Sequence, residues 1–372
     1  MKKFIAIVLM FFCTTVIYAQ VDSTFKEEFA TDISVSPENH QGGVGSFGRS
    51  LSHLTSFVSL NGYATNEFLY YQNGKMSLDN HYFNLLASAE ISKHIFAEIQ
   101  MEYEHGGSQL NDRYAIIDYK FNDLFILRTG KFLVPAGEYN EYLYPEYMAK
   151  GVNRTYVNEE IIPVSWGEVG IQLRGKLNAK NDSSIFKPYY SLYIVNGLKG
   201  PSAGAIRYMR GNVVDAAKQP AVGGNIGTRI GKYSNFQFNY YYGDYDSSTT
   251  LDLTILGTSF SFDNNKFSFY GEYHNAQQEY YPNFSLNDSK LTLNKYGFYG
   301  QIAYNYKNFE PVFRYDQIRL DGAPAGDRDR YTFGVNYYFY DNCVFKINYE
   351  IIKNKGIDNK DNVFSMQIAV GF

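Results

Sequence analysis

Apolar and polar residues alternate with a period of two along most of the chain. In residues 364–372, apolar side chains take every second position (Phe364, Met366, Ile368, Val370 and Phe372), and small or polar ones lie between them (Ser365, Gln367, Ala369 and Gly371). A β-strand points successive side chains to opposite faces, so this pattern predicts a strand with one apolar and one polar face. Residues 345–351 repeat the pattern, with charged residues on the polar face.

The same alternation recurs through the whole chain after about residue 54. It predicts about sixteen strands, an even number, at residues 55–70, 81–91, 95–103, 114–121, 124–131, 169–177, 186–195, 221–230, 236–245, 251–262, 267–275, 296–306, 309–319, 330–340, 345–351 and 364–372.

The connections between these strands alternate in length. Tight turns are predicted at 92–93, 122–123, 233–235, 263–265, 307–308 and 341–342, and longer loops at 71–80, 105–112, 132–165, 196–220, 280–293, 320–329 and 354–360. Short turns on one side and long loops on the other are typical of bacterial outer-membrane barrels. The predicted fold is therefore all-β, a transmembrane antiparallel β-barrel of about sixteen strands over residues 54–372.

Composition agrees with a barrel. The chain has 36 Tyr and 29 Phe but one Trp, and its mean hydropathy is −0.34, because half of each barrel strand faces water. Aromatic residues cluster near strand ends, as in the interfacial girdles of such barrels. The net charge is −4, and without Lys2 and Lys3 the 32 basic and 38 acidic residues that remain give about −6, which argues against a nucleic-acid partner. Membrane lipid is the expected surrounding of the barrel.

The N-terminus resembles a secretory leader. Lys2 and Lys3 precede an apolar run at residues 4–12, and Ala19 precedes the expected cleavage point. Residues 1–19 are thus predicted to be a signal peptide and 20–53 a periplasmic lead-in. The expected location is the outer membrane of a Gram-negative bacterium.

Residues 132–165 interrupt the alternation for longer than an ordinary loop. This stretch is acidic and rich in tyrosine. It contains two basic residues, Lys150 and Arg154, and five glutamates: Glu138, Glu141, Glu146, Glu159 and Glu160. Counted from a periplasmic N-terminus, it is the third external loop. We expect it to fold inward and narrow the barrel.

The sequence around this loop resembles the phosphate-selective porin O and P family. The resembling residues are Leu127-Arg128-Thr129-Gly130-Lys131-Phe132-x-x-Pro135 before the loop and Gly167-x-x-Gly170-x-Gln172-Leu173-x-Gly175 after it. The resemblance implies a passive outer-membrane porin that forms a homotrimer, with an inward-folded third loop.

Eight residues are candidates for the constriction and for solute binding. Arg128, Lys131, Arg174 and Lys176 lie at the two roots of the loop, and Glu138, Glu141, Arg154 and Glu159 lie within it. Arg174 and Lys176 share a strand face with Glu168 and Gln172, which predicts that they point into the lumen. Basic residues on the wall and carboxylates on the loop would set a transverse field that passes small hydrophilic solutes or ions.

Two alternatives stay open at this stage. Selectivity for anions such as phosphate would require basic side chains to converge at the narrow point. A non-conducting adhesion or structural barrel would act through its external loops. An enzyme is not expected, and no cofactor or metal is predicted, because the histidines follow no catalytic or metal-ligand spacing: His40, His53, His81, His94, His105 and His274.

Overall fold

The computed structural model describes residues 58–177, 184–211, 219–248, 250–282, 289–321, 326–355 and 361–372. The predicted signal peptide, residues 1–19, and lead-in, residues 20–53, lie outside the described residues and stay predictions.

The described residues form sixteen antiparallel strands, which confirms the predicted antiparallel barrel and its strand number. The strands are β1 Val58–Tyr71, β2 Met76–Ser92, β3 Ile95–Glu104, β4 Gln109–Lys120, β5 Ile126–Leu133, β6 Gly167–Lys176, β7 Phe186–Val195, β8 Ala221–Ile230, β9 Ser234–Asp244, β10 Asp252–Asp263, β11 Phe267–Tyr280, β12 Leu291–Tyr304, β13 Phe309–Leu320, β14 Arg328–Tyr340, β15 Cys343–Asn354 and β16 Val363–Gly371.

The sheet closes on itself. Each strand pairs with its neighbours in sequence, and β1 pairs with β16 in a register that sets Tyr63 opposite Gly371. At this seam Gly62 N donates to Phe372 O at 2.7 Å, and Phe372 N donates to Gly62 O at 2.8 Å. Closure leaves no unpaired sheet edge, which is what a strand protein needs to lie in lipid.

The two faces of each strand differ in burial. On β15, Lys346, Asn348 and Glu350 are buried, whereas Ile347 and Tyr349 between them are exposed. The buried face of a closed barrel is its inner face, so the apolar side chains form an outer belt and the polar ones line the interior. This confirms the orientation that the alternation predicted for β15 and β16.

The connections alternate between two sides as expected, but several differ in length from the prediction. One side carries residues 93–94, 121–125, 177–185, 231–233, 264–266, 305–308 and 341–342, and the other carries 72–75, 105–108, 134–166, 196–220, 245–251, 281–290, 321–327 and 355–362. The connections predicted at 71–80 and 105–112 are shorter than expected, because β2 begins at Met76 and β4 at Gln109. Pairing such as Tyr70 with Met76 extends the first hairpin with exposed side chains, which hydrophobic alternation does not detect.

Exposed aromatic side chains mark the strand ends near the short connections. Tyr304, Tyr306, Phe309 and Tyr340 all have more than a third of their surface exposed. An aromatic ring with a polar edge is suited to the boundary between acyl chains and headgroups. Among the residues described, no helix is long and apolar enough to cross a membrane.

Candidate functional site

The connection between β5 and β6, residues 134–166, is the third on the side of the longer connections. We call it the β5–β6 segment. It contains a π-helical turn, Tyr139–Leu143, and a short α-helix α1, Val157–Glu160. Much of it is fully buried, including Val134, Val157 and Trp166. A surface loop would expose such side chains, so the segment packs against other parts of the protein.

Asn140 fixes the two ends of the segment to each other. Its Nδ2 donates to Val134 O at 2.8 Å and to Trp166 O at 3.1 Å, and its Oδ1 accepts from Trp166 N at 2.7 Å. Val134 N also donates to Trp166 O at 2.9 Å. The chain therefore leaves β5 and returns to β6 through one narrow, hydrogen-bonded neck.

Beyond this neck, the first half of the segment contacts the buried faces of β9, β10 and β11. Glu138 Oε1 accepts from Asn235 Nδ2 at 2.6 Å and from Ser261 Oγ at 2.8 Å. Tyr139 N donates to Glu272 Oε1 at 2.7 Å. On the far side, Tyr144 OH donates to Gln100 on β3.

The middle of the segment contacts β13, β14 and β15. Lys150 Nζ donates to Glu310 Oε1 at 2.7 Å, and Asn336 Nδ2 donates to Lys150 O at 3.0 Å. Lys346 Nζ donates to Glu146 O and, at 2.6 Å, to Ala149 O. The β5–β6 segment, thirty-three residues long, therefore contacts strands that are widely separated around the barrel.

A balanced charge network lies on the same wall. Arg330 donates from Nε and Nη2 to the two oxygens of Asp316 at 3.0 Å each, and Arg314 Nη2 lies 3.2 Å from Glu350 Oε1. The segment completes this network, because Tyr156 N donates to Asp316 Oδ1 at 3.0 Å and Asn153 Nδ2 donates to Glu350 Oε2 at 3.0 Å. Two guanidinium groups and two carboxylates are thereby buried with their charges matched.

The predicted basic residues at the loop roots lie on β5 and β6. Arg128 is buried and pairs with both oxygens of Asp118, at 2.7 and 2.8 Å, so its charge is matched by the neighbouring strand. Lys131 Nζ lies 3.3 Å from Asp112 Oδ1. Arg174 and Lys176 are half-buried and share the β6 face of buried Gln172, while Ile171 and Leu177 on the other face are exposed.

The predicted residues within the segment are dispersed. Glu138 contacts β9 and β10, and Glu141 lies in the π-helical turn, where Arg174 attracts its carboxylate. Arg154 Nη2 donates to Tyr82 OH on β2 at 2.7 Å, and Glu159 lies in α1. Four of the eight candidates lie close together, since the charges of Arg128, Glu138 and Arg174 act on Glu141. Arg154 lies instead beside Glu159, so the eight do not all meet at one point. Their joint role as a constriction stays a prediction.

Burial alters the acid–base properties of two segment glutamates. Burial raises the pKa of Glu138 to about 7, against the opposing hydrogen bonds from Ser261 and Asn235. Burial likewise raises the pKa of Glu141 to about 8, against the attraction of Arg174. Each of these carboxyl groups therefore stays protonated at a higher pH than the carboxyl group of an ordinary glutamate.

Arginines of the β7–β8 connection were not among the sequence candidates. Arg207 Nη1 and Arg210 Nη1 both donate to Val164 O, at 2.8 and 2.6 Å, so two guanidinium groups meet at one carbonyl oxygen of the segment. Burial, together with the nearby positive charges of Arg207, Arg154 and Arg113, lowers the pKa of Arg210 to about 9. No sequence signal links residues so far apart.

The charge network on β13–β15 was also missed, although its signal was present. The network consists of charged residues that occupy the polar positions of strands with a period of two: Arg314, Asp316, Arg330 and Glu350. Pairing in the register that sets Arg330 opposite Asp316 brings them together.

Sequence comparison with known proteins matches little of this chain. No family model matches the chain. An uncharacterized protein of Aquifex aeolicus (strain VF5) is 35% identical over 105 residues, which make up 27% of this chain. The chain thus spans 22% of the length of the curated relative that it matches.

Two solved structures are similar over 85% of this chain and 99% of their own chains. The anion-selective porin from Comamonas acidovorans superposes with a TM-score of 0.60 and 12% identity. OmpT, an outer membrane protein of Vibrio cholerae in its trimer form, superposes with a TM-score of 0.58 and 13% identity. At such identities the likeness is one of fold.

The fold and the outer belt define the class of protein. The chain is a sixteen-stranded barrel of the porin fold, and its exposed apolar face is suited to lipid. The protein is located in the outer membrane of a Gram-negative bacterium, as the sequence predicted. The resemblance to the phosphate-selective porin O and P family stays a prediction.

Proposed function

We propose that the protein is a passive porin that lets small hydrophilic solutes or ions cross the outer membrane. The observation that carries this proposal is the contact of the β5–β6 segment with the polar inner faces of strands all around the barrel. A polar interior suits water and hydrated solutes. A segment held at many points inside the barrel would act as a fixed constriction, and this is the role we propose for it.

The packing around this segment suggests a narrow channel. Inner-face residues on opposite walls, such as Gln100, Gln237 and Asn348, are almost completely buried. We therefore expect a low conductance for a barrel of this strand number, and a conductance that rises when the segment is loosened.

Charge near the segment supports a preference for anions as the finer part of the proposal. Arg207 and Arg210 converge on Val164 O, and the positive charge of Arg154 acts on Arg210. Such a concentration of guanidinium groups attracts anions, and phosphate is one candidate because its oxygens match the guanidinium donors. By contrast, Arg113 is neutralised by Glu102 and Glu104, and the predicted residue Arg128 by Asp118.

A homotrimer is the proposed assembly, by analogy with the trimer form of the Vibrio cholerae protein. A passive channel of this kind needs no catalytic residues, so we propose a protein without enzymatic activity.

The second candidate is a non-conducting barrel that acts through its connections. The dense packing of the inner face favours it, since a barrel filled by its own segment can be a rigid scaffold. The two candidates differ in one measurable property, the passage of ions.

Planar-bilayer recording of the purified protein under a potassium chloride gradient tests the proposal. Stepwise conductance with a reversal potential on the anion side is expected, and phosphate should reduce the chloride current if the two anions share a path. Steps grouped in threes would support the trimer. The absence of any conductance from correctly folded protein would refute the channel and favour the scaffold.

A further inference from the structure

A bulge in β2 changes the direction of one histidine. Pairing of Thr65 with Tyr82 and of Glu67 with Asp79 leaves two residues of β2 opposite the single residue Asn66. The rings of His81 and Tyr82 stack with centroids 4.0 Å apart, although neighbours in a regular strand point to opposite faces. The bulge thus turns His81 toward the side of the sheet on which Tyr82 is buried.

There His81 meets two carboxylates from different parts of the chain. Its Nδ1 lies 3.0 Å from Glu67 Oε2 on β1 and 3.3 Å from Glu146 Oε2 on the β5–β6 segment. Both glutamate side chains are 5% exposed. His81 Nδ1 is itself buried and makes no hydrogen bond of ordinary geometry among the described residues.

These distances fit a tetrahedral metal ion. Zinc binds histidine nitrogen and carboxylate oxygen at about 2.0–2.2 Å, so two ligand atoms on one ion lie about 3.3 Å apart. One ligand atom from each of the three residues lies within 4.8 Å of the other two. Two buried carboxylates also repel each other, and a divalent cation between them would remove that repulsion.

The surroundings hold the carboxylates in place. Gln367 Nε2 donates to Glu67 Oε1 at 2.6 Å and to Glu146 Oε2 at 2.9 Å, and Thr65 Oγ1 donates to Glu146 Oε2 at 3.4 Å. Hydrogen bonds of this type orient metal ligands. His81 is 21% exposed, which gives an ion a way in and leaves room for a water as the fourth ligand.

We propose that Glu67, His81 and Glu146 bind one divalent transition-metal cation of the zinc type. The bound ion would tie the β5–β6 segment to β1 and β2. The sequence hides this site, because its ligands come from three separate elements and one of them depends on a bulge. The proposal does not depend on conduction, since a scaffold barrel could hold the same ion.

Zinc titration of the folded, detergent-solubilised protein tests the site. After treatment with EDTA, the protein is titrated with Zn²⁺ in competition with a chromophoric chelator, and one equivalent per chain is expected to bind. His81→Asn and Glu146→Gln should abolish this binding. The matched control His94→Asn, in the exposed turn after β2, should leave it unchanged.

Two further variants keep the test decisive if a ligand variant does not fold. Gln367→Leu should weaken Zn²⁺ binding about 10-fold to 100-fold, because Gln367 orients both carboxylates without touching the ion. His105→Asn removes a ring stacked 5.3 Å from His81 and should have little effect.

Three results would overturn the proposal. In the first, the native protein binds no stoichiometric Zn²⁺. In the second, Zn²⁺ binding survives in both ligand variants, His81→Asn and Glu146→Gln. In the third, Zn²⁺ binding is lost in His105→Asn and kept in Glu146→Gln. Because the readout is metal binding, failure here leaves the porin proposal intact, and a non-conducting protein that binds zinc refutes only the porin.

Discussion

Lys150 Nζ donates a 2.7 Å hydrogen bond to Glu310 Oε1, which joins the middle of the β5–β6 segment to β13. The carboxylate is held from its other side as well, because Asn336 Nδ2 and Tyr338 OH each donate to Glu310 Oε2 at 2.9 Å. Among the hydrogen bonds of the described residues, the one from Lys150 connects this carboxylate to a side chain of the segment. It is therefore the contact to remove when the segment is to be loosened without altering the wall.

Lys150→Met should loosen the segment and raise single-channel conductance. The variant leaves a mostly buried carboxylate without its cation, at a cost of about 1–3 kcal/mol in the free energy of unfolding. Conductance in planar bilayers and unfolding in urea measure the two effects. Lys120→Met, at an exposed pair with Asp123 in a short turn, is the control and should change neither. A stable variant with unchanged conductance would show that the segment does not limit the flow.

Stability should fall as the pH rises through neutrality. Burial raises the pKa of Glu138 to about 7 from an ordinary value of 4.5, so the folded protein keeps a proton that the unfolded chain has released. Stability from this group is complete below about pH 4.5 and is lost as the pH rises through 7, by at most about 3 kcal/mol.

Thermal unfolding at pH 5 and pH 8 measures this dependence. Glu138→Gln should weaken it, because an amide cannot ionise, and Glu90→Gln at the exposed end of β2 should keep it. A pH dependence that is identical in the native protein and in Glu138→Gln would assign the effect to other groups.

Gly130→Ala should impair folding at the root of the segment. Gly130 has a φ of 108°, a conformation that alanine rarely adopts, and an added Cβ would collide with the carbonyl oxygen of Ala115. Backbone strain of this kind costs about 1–3 kcal/mol before the collision is counted. Gly300→Ala is the matched control, since nothing lies within 4 Å of its added Cβ. Equal folded yields for the two variants would contradict this account.

Much of the fold could be predicted because side chains in a barrel strand alternate between a polar inner face and an apolar outer face. Alternation with a period of two set the number, order and inner faces of the strands, including Arg174 beside Gln172 and Lys346 beside Asn348. The place of the β5–β6 segment as the third connection on its side also followed, since it needs only a count of connections.

The contacts of that segment could not be predicted in the same way. Lys150 and Glu310 are 160 positions apart, and no periodic pattern relates them. His81 has no metal-ligand spacing in the sequence, so no role was predicted for it. A bulge also shifts the phase of its strand, and a rule of strict alternation fails at such a point. Long-range pairing and local irregularity decide the site, whereas regular local patterning decides the fold.

Arginines 207 and 210 should set the charge preference of the channel. The double variant Arg207→Gln/Arg210→Gln removes two positive charges beside the segment, and the ratio of anion to cation permeability should fall about threefold. The reversal potential under a salt gradient measures this ratio. The control Lys232→Gln/Lys307→Gln removes two positive charges from the short connections, where each lysine lies over a tyrosine ring. If both double variants shift the reversal potential equally, the preference arises from the overall charge and not from the arginines at Val164.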